Sequence, residues 1–136
     1  EIDGTDTQGR VSAKARRERG VQRLGKRAGL GRVMQRGEVR WYKFSKPDKR
    51  RPVVILTRDS AMEFLGEVTV APVTSTVRDI PSEVLLTEAD GMPRSCAVNL
   101  DHIQTVGKGK IGPVITTLSP RKMLELRSAC FFALGF

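Results

Sequence analysis

The sequence has little of what enzymes commonly use for chemistry. Its 136 residues contain one histidine, His102, and two cysteines, Cys96 and Cys130. That set gives no zinc-ligand spacing, and no metal or other cofactor is expected. Two thiols are too few for a disulfide framework. Each stands in an apolar context and reads as a buried free cysteine in a reducing cytoplasm. Neither of the standard phosphate-cradling glycine loops is present. No apolar run approaches the ~20 residues of a membrane span, and the opening "EIDGTDTQGR" lacks the apolar core of a secretory signal. A cytoplasmic location without a membrane partner is expected. A Ser–His–acid arrangement is formally open through His102, yet no serine lies on a nucleophile-elbow pattern. The carboxylates Asp79, Glu83 and Asp101 show no pairing that singles out two of them. A metal enzyme or a conventional hydrolase is therefore disfavoured.

What the chain does have is positive charge. Net charge is +9, and residues 1–36 carry ten Lys/Arg against four Asp/Glu. The surplus is concentrated in this segment, and residues 37–136 are only mildly basic. A cationic surplus points to polyanion partners, most often nucleic acid. Five glycines between Gly9 and Gly31 oppose a stable helix there, since each costs roughly 1 kcal/mol relative to alanine. Residues 1–35 thus read as a basic Gly/Arg-rich extension, and residues 36–136 as the folded domain.

Within that domain the pattern is short strands between turns. Glu38–Phe44 ("EVRWYKF") and "RPVVILT" read as strands with covered faces. Arg58–Gly66 reads as a short turn or helical connection. Glu67–Ser75 is a third strand, and its Pro72 argues for an edge position or a bulge. Ser82–Glu88, Ser95–Asp101 and His102–Val106 continue the rhythm. Such strands predict a mainly β domain, a small barrel or curled sheet. The end differs: Ser119 as N-cap and Pro120 at the first helical position open a helix. Met123, Leu126, Cys130–Phe131 and Leu134 make its apolar stripe, to be packed on the sheet.

Two stretches carry the chemistry that remains. "KPDKRRPVVILTRD" aims Lys49, Arg50 and Arg51 at the mouth of the most hydrophobic strand. A solvated turn is one reading of such a cluster. An anion site is the other, in which an arginine fixed by the strand holds phosphate oxygens through its planar fork. "VTSTVRDIP" places Thr74, Ser75, Thr76 and Arg78 just past an apolar strand. Hydroxyls there commonly bond to local backbone. They can also donate to a phosphate beside an arginine, and that pair stabilises phosphoryl charge without metal.

At these residues the chain resembles a known family. "RGEVRWYKF", "RRPVVILTRD", "VTVAPVTSTVRDIPSEVLL" and "RSCAVNLDHIQTV" are similar, in order and spacing, to the motifs of the MazF/PemK/Kid toxins. The resemblance covers residues 36–136. It implies an SH3-like β-barrel with a C-terminal helix, a homodimer, and an endoribonuclease that cuts single-stranded RNA at short sequences. A cognate antitoxin that blocks the RNA groove is implied as well. Carried over by position, Arg51 is the catalytic arginine and Thr74 the catalytic hydroxyl. Lys49, Arg50, Ser75, Thr76, Arg78, Asp101 and His102 fall on the RNA path. Many members carry a longer loop before the arginine, so cleavage-site preference is not carried over. Two other readings stay open: a non-catalytic RNA- or protein-binding barrel, and a toxin of the related CcdB fold that binds gyrase. Arg51 together with Thr74 favours the nuclease, because a gyrase binder needs neither at these positions.

Overall fold

The computed structural model describes residues 34–44 and 50–136. The expectation for residues 1–35 falls almost entirely outside them. Seven strands and one long helix follow in order: β1 (Glu38–Lys43), β2 (Arg50–Ile55), β3 (Glu67–Thr74), β4 (Glu83–Leu86), β5 (Cys96–Asn99), β6 (Gln104–Gly107), β7 (Ile111–Thr117) and α1 (Pro120–Leu134). The strands form one curled antiparallel sheet, a half-barrel, in the order β4-β5-β3-β2-β1-β7 with β6 also on β3.

The Val53–Ile55 run explains why the sheet is covered on both sides. Side chains alternate along a strand. Val54 enters one buried cluster with Val39, Val73, Leu86, Leu100 and Leu126. Val53 and Ile55 enter a second with Tyr42, Met62, Val70 and Val106. All three are fully buried, and at about 25 cal/mol per Å² such side chains each contribute roughly 1.5–3 kcal/mol.

β3 departs from the expectation raised by Pro72, because it is a central strand. On one side it pairs with β2, Pro72 opposite Val53. On its other side β6 runs along Glu67–Val70 and β5 along Val73–Thr74. Pro72 falls in the gap between those two ladders, where no partner asks for its missing N–H. Two further expectations shift. Leu100–His102 is a 3₁₀ turn capped by Asn99, so the strand expected from His102 begins at Gln104. β7 was not foreseen, and Gly112 and Pro113 lie within it. Its pairing with β1 absorbs them through two register shifts.

α1 starts as predicted. Ser119 Oγ accepts from the Lys122 N–H at 3.1 Å, with Pro120 in the first turn. It closes on Gly135, whose φ of 82° suits only a residue without Cβ, and whose N–H reaches the Phe131 carbonyl at 2.9 Å. Leu126 and Ala129 are buried, with Met123, Cys130 and Ala133 packed beside them. The stripe is narrower than expected: Phe131 and Leu134 face outward, with Leu124, Phe132 and Phe136. Among the described residues no helix is long and apolar enough to cross a membrane.

Candidate active site

The antiparallel pairing of β2 and β3 brings the start of one strand to the end of the other. Their paired register runs from Ile55–Val70 to Val53–Pro72 and stops there; just beyond it Arg51 pairs with Tyr42 of β1 and Thr74 with Ala97 of β5. Arg51 and Thr74, 23 positions apart in sequence, thus come to the same end of the β2–β3 pair. Around them opens a groove of about 500 Å³ across the strand ends. Its floor is Arg50, Arg51 and Pro52 of β2 with Val73, Thr74 and Ser75 after them in β3 order. Trp41 of β1 closes one end. Met92, Pro93, Arg94 and Cys96 close the other.

Three guanidinium groups line this groove, and no carboxylate does among the described residues. Several cations elsewhere are occupied. Arg40 pairs with Glu38 at 2.7 Å, Arg36 Nε donates to the Leu56 carbonyl, and Lys108 Nζ to that of Met62. Arg51 and Arg94 make no hydrogen bond or ion pair among the described residues. Arg50 lies over the Trp41 ring, 4.7 Å from its centroid, a contact that orients the guanidinium and leaves its charge unneutralised. Gathering unpaired like charges is unfavourable for the free protein and fits a groove that receives a polyanion.

The hydroxyl makes the local backbone bond that strand-end hydroxyls commonly make. Thr74 Oγ1 accepts from the Thr76 N–H at 3.1 Å, a local turn bond. That bond uses a lone pair and leaves the O–H free to donate. Ser75 follows it, exposed at the groove.

Not every expected residue reaches this place. Lys49 belongs to 45–49, outside the described residues. Thr76 contributes its backbone to the turn and does not line the groove. Arg78 is engaged by Glu83, whose carboxylate takes its backbone N–H at 2.9 Å and its Nε at 3.1 Å. Asp101 accepts the Ser82 hydroxyl at 2.6 Å and so pins the 3₁₀ turn to the start of β4. Asn99 Oδ1 accepts from the Asp101 N–H, which leaves its Nδ2 to donate to His102 Nδ1 at 3.2 Å. Neither Asp101 nor His102 lines the groove.

Trp41, Met92, Pro93, Arg94 and Cys96 were not anticipated. "GMPR" carried a usable signal, a glycine turn ending in an arginine. Thr87 and Asp90 form a capping box, with the Thr87 N–H on Asp90 Oδ2 at 2.9 Å. Gly91 follows at φ 96°, where a Cβ would run into the Thr116 side chain. Thr116 Oγ1 donates to the Asp90 carbonyl at 2.9 Å. This latch fixes the segment that carries Met92 to Arg94. Burial pushes the Cys96 thiol above its ordinary value, Asp90 adds to the rise and Arg94 opposes it.

Residues 35–130 match the family model described as PemK-like, MazF-like toxin of type II toxin–antitoxin system. The chain belongs to this toxin family. Among curated proteins it is 38% identical over 96 residues to the probable endoribonuclease MazF5 of Mycobacterium tuberculosis, spanning 70% of this chain and 84% of that one. It is 39% identical over 93 residues to the probable endoribonuclease MazF2 of the same species, spanning 68% and 89%. Among solved structures it resembles the M. tuberculosis toxin MazF-mt6 with a TM-score of 0.67 at 31% identity, over 73% of this chain and 97% of that chain. A mycobacterial endoribonuclease in complex with its cognate antitoxin gives 0.69 at 26% identity, over 76% and 97%. The enzyme class of this MazF-like toxin is accordingly endoribonuclease.

Proposed function

We propose that this toxin cuts single-stranded RNA at short sequences, without metal, by attack of a ribose 2′-hydroxyl on the adjacent phosphate. The observation that carries the reading is that Arg51, unpaired among the described residues, and the Thr74 hydroxyl line one groove rich in guanidinium. RNA brings its own nucleophile, so the protein must hold the chain in line and stabilise charge on the phosphate oxygens. Arg51 neutralises the non-bridging oxygens of the transition state through its fork. Thr74 orients the phosphate or helps protonate the leaving 5′-oxygen. Arg50, Ser75 and, from sequence, Lys49 gather and align the strand. The basic segment 1–35 adds sequence-independent attraction to phosphates.

The same groove suits an acidic segment of a cognate antitoxin, which would mimic RNA's charge and fold as it binds. A homodimer acting in the cytoplasm completes the reading, and the outward apolar residues of α1 support a protein partner.

The test is cleavage of a long RNA in excess chelator. New ends should be a 2′,3′-cyclic phosphate and a 5′-hydroxyl. Hydrogen in place of the single 2′-hydroxyl at the cut should stop cleavage and leave binding intact. Efficient cutting of that deoxy-substituted RNA would refute the mechanism.

A further inference from the structure

The two ends of the groove differ in chemistry. At its centre, Arg51, Thr74 and Ser75 offer several donors within one small region, which is what a phosphate needs. Towards β5 the groove is lined by Pro93 and by the edges of the core residues Met92 and Cys96, and Arg94 is the one charged group there among the described residues. A phosphate placed there would exchange water for apolar walls and a single cation. A base fits better, since its faces are apolar and its polar atoms lie on the edge. The turn just before Arg94 is fixed through the Thr87–Asp90 box, Gly91 and the Thr116 hydroxyl.

We propose that Arg94 is a specificity-determining residue that reads a base flanking the scissile phosphate and selects guanine there. The proposal rests on the RNA-cleaving function above. Two parallel N–H donors of a guanidinium match the O6 and N7 acceptors of guanine. Adenine presents a donor beside N7 and meets one of those N–H groups with another hydrogen. Cytosine and uracil have no purine N7 edge to offer. A good bidentate pair discriminates by 1–3 kcal/mol, so the preference should be about 5- to 150-fold.

The experiment maps cut sites of the full-length toxin in a random-sequence RNA pool by sequencing the new 5′ ends. Wild type should show guanine enriched at one position beside the cut. Arg94→Ala should lose enrichment at that position alone and keep the rest of the profile. In parallel, binding is measured to oligonucleotides that carry a 2′-deoxy sugar at the cut and either guanine or 7-deazaguanine at that position. Loss of N7 should weaken wild-type binding at least about 5-fold and leave Arg94→Ala unaffected. Wild-type cleavage without guanine enrichment overturns the proposal. So does a mutant slowed equally on every site with an unchanged profile, the signature of a phosphate contact. If wild type cuts nothing yet its binding responds to N7 through Arg94, the cleavage function fails and the base contact stands.

Discussion

Replacing Arg51 with alanine removes one guanidinium from a site that has three, and the structure bounds what that should do. Arg51 is exposed and makes no ion pair or hydrogen bond among the described residues. Its loss should change folding stability by no more than about 0.5 kcal/mol, the usual range for a surface substitution away from packing and caps. Its contribution to catalysis is different in kind, because it acts on charge that develops only in the transition state. Removal of one such donor slows reaction by roughly 10²–10³, or about 2.7–4 kcal/mol. Arg50 and Arg94 keep the groove cationic, so RNA affinity should fall far less than kcat. Arg51→Lys keeps the charge but lacks the planar fork, and should recover only part of the rate. The assay is kcat and KM on a short fluorogenic oligoribonucleotide in chelator, with urea unfolding of each variant. A folded Arg51→Ala protein with kcat near wild type would refute the assignment. A loss confined to KM would show that Arg51 only gathers RNA.

Thr74→Ala should impair cleavage severely, whereas Thr74→Ser should keep much of it because the hydroxyl survives; equal losses in the two rate measurements would point to the methyl group. Gly91→Ala places a Cβ at φ 96° and into Thr116, so urea unfolding should show a loss of at least about 1 kcal/mol, and cleavage should fall as the Met92–Arg94 wall shifts. Burial raises the Cys96 thiol's pKa, so alkylation read by mass spectrometry should be slow at neutral pH and accelerate only above the ordinary thiol range. Partial desolvation also raises the pKa of Asp59, although the residue stays largely exposed to solvent, against the opposing hydrogen bond from the Arg36 N–H at 2.7 Å. Its folded pKa then exceeds its unfolded one, so the stability it contributes is present at acid pH and lost as pH rises through the folded value. Asp59→Asn keeps an acceptor for Arg36, and its Tm should match or exceed wild type at pH 7, with the difference closing or reversing near pH 4.

The elements legible in advance were those whose local signals agree with their burial. Val53–Ile55 is β-branched, lies between turn residues and is buried on both faces, so pattern and packing coincide. Ser119 and Pro120 announce α1 because orphan N–H groups need a cap wherever the helix lies. Where tertiary pairing overrides the local signal, reading along the chain erred. Pro72 sits in a central strand because two different neighbours divide one side of β3. Gly112 and Pro113 are tolerated in β7 because its register with β1 slips twice, and a Cβ on Gly112 would lie 3.3 Å from the Trp41 carbonyl oxygen. The width of the stripe on α1 was misjudged because periodicity shows that a face is apolar and not what covers it.

The candidate site divides along the same line. Sequence by itself determined the residue types, a strand-anchored arginine and a hydroxyl turn, together with the cationic surplus and the resemblance that set them in order. Those are properties of short segments, and propensity and spacing act over a few residues. Only the tertiary structure decided which groups meet. The β2–β3 pairing brings Arg51 and Thr74 to the same strand ends, and the latch at Gly91 fixes the turn before Arg94, which lines the same groove. Arg78 and Asp101 are instead engaged by Glu83 and Ser82. A charged or polar side chain is available to a ligand only when no nearer partner satisfies it, and that partner is set by strand pairing between segments distant in the chain.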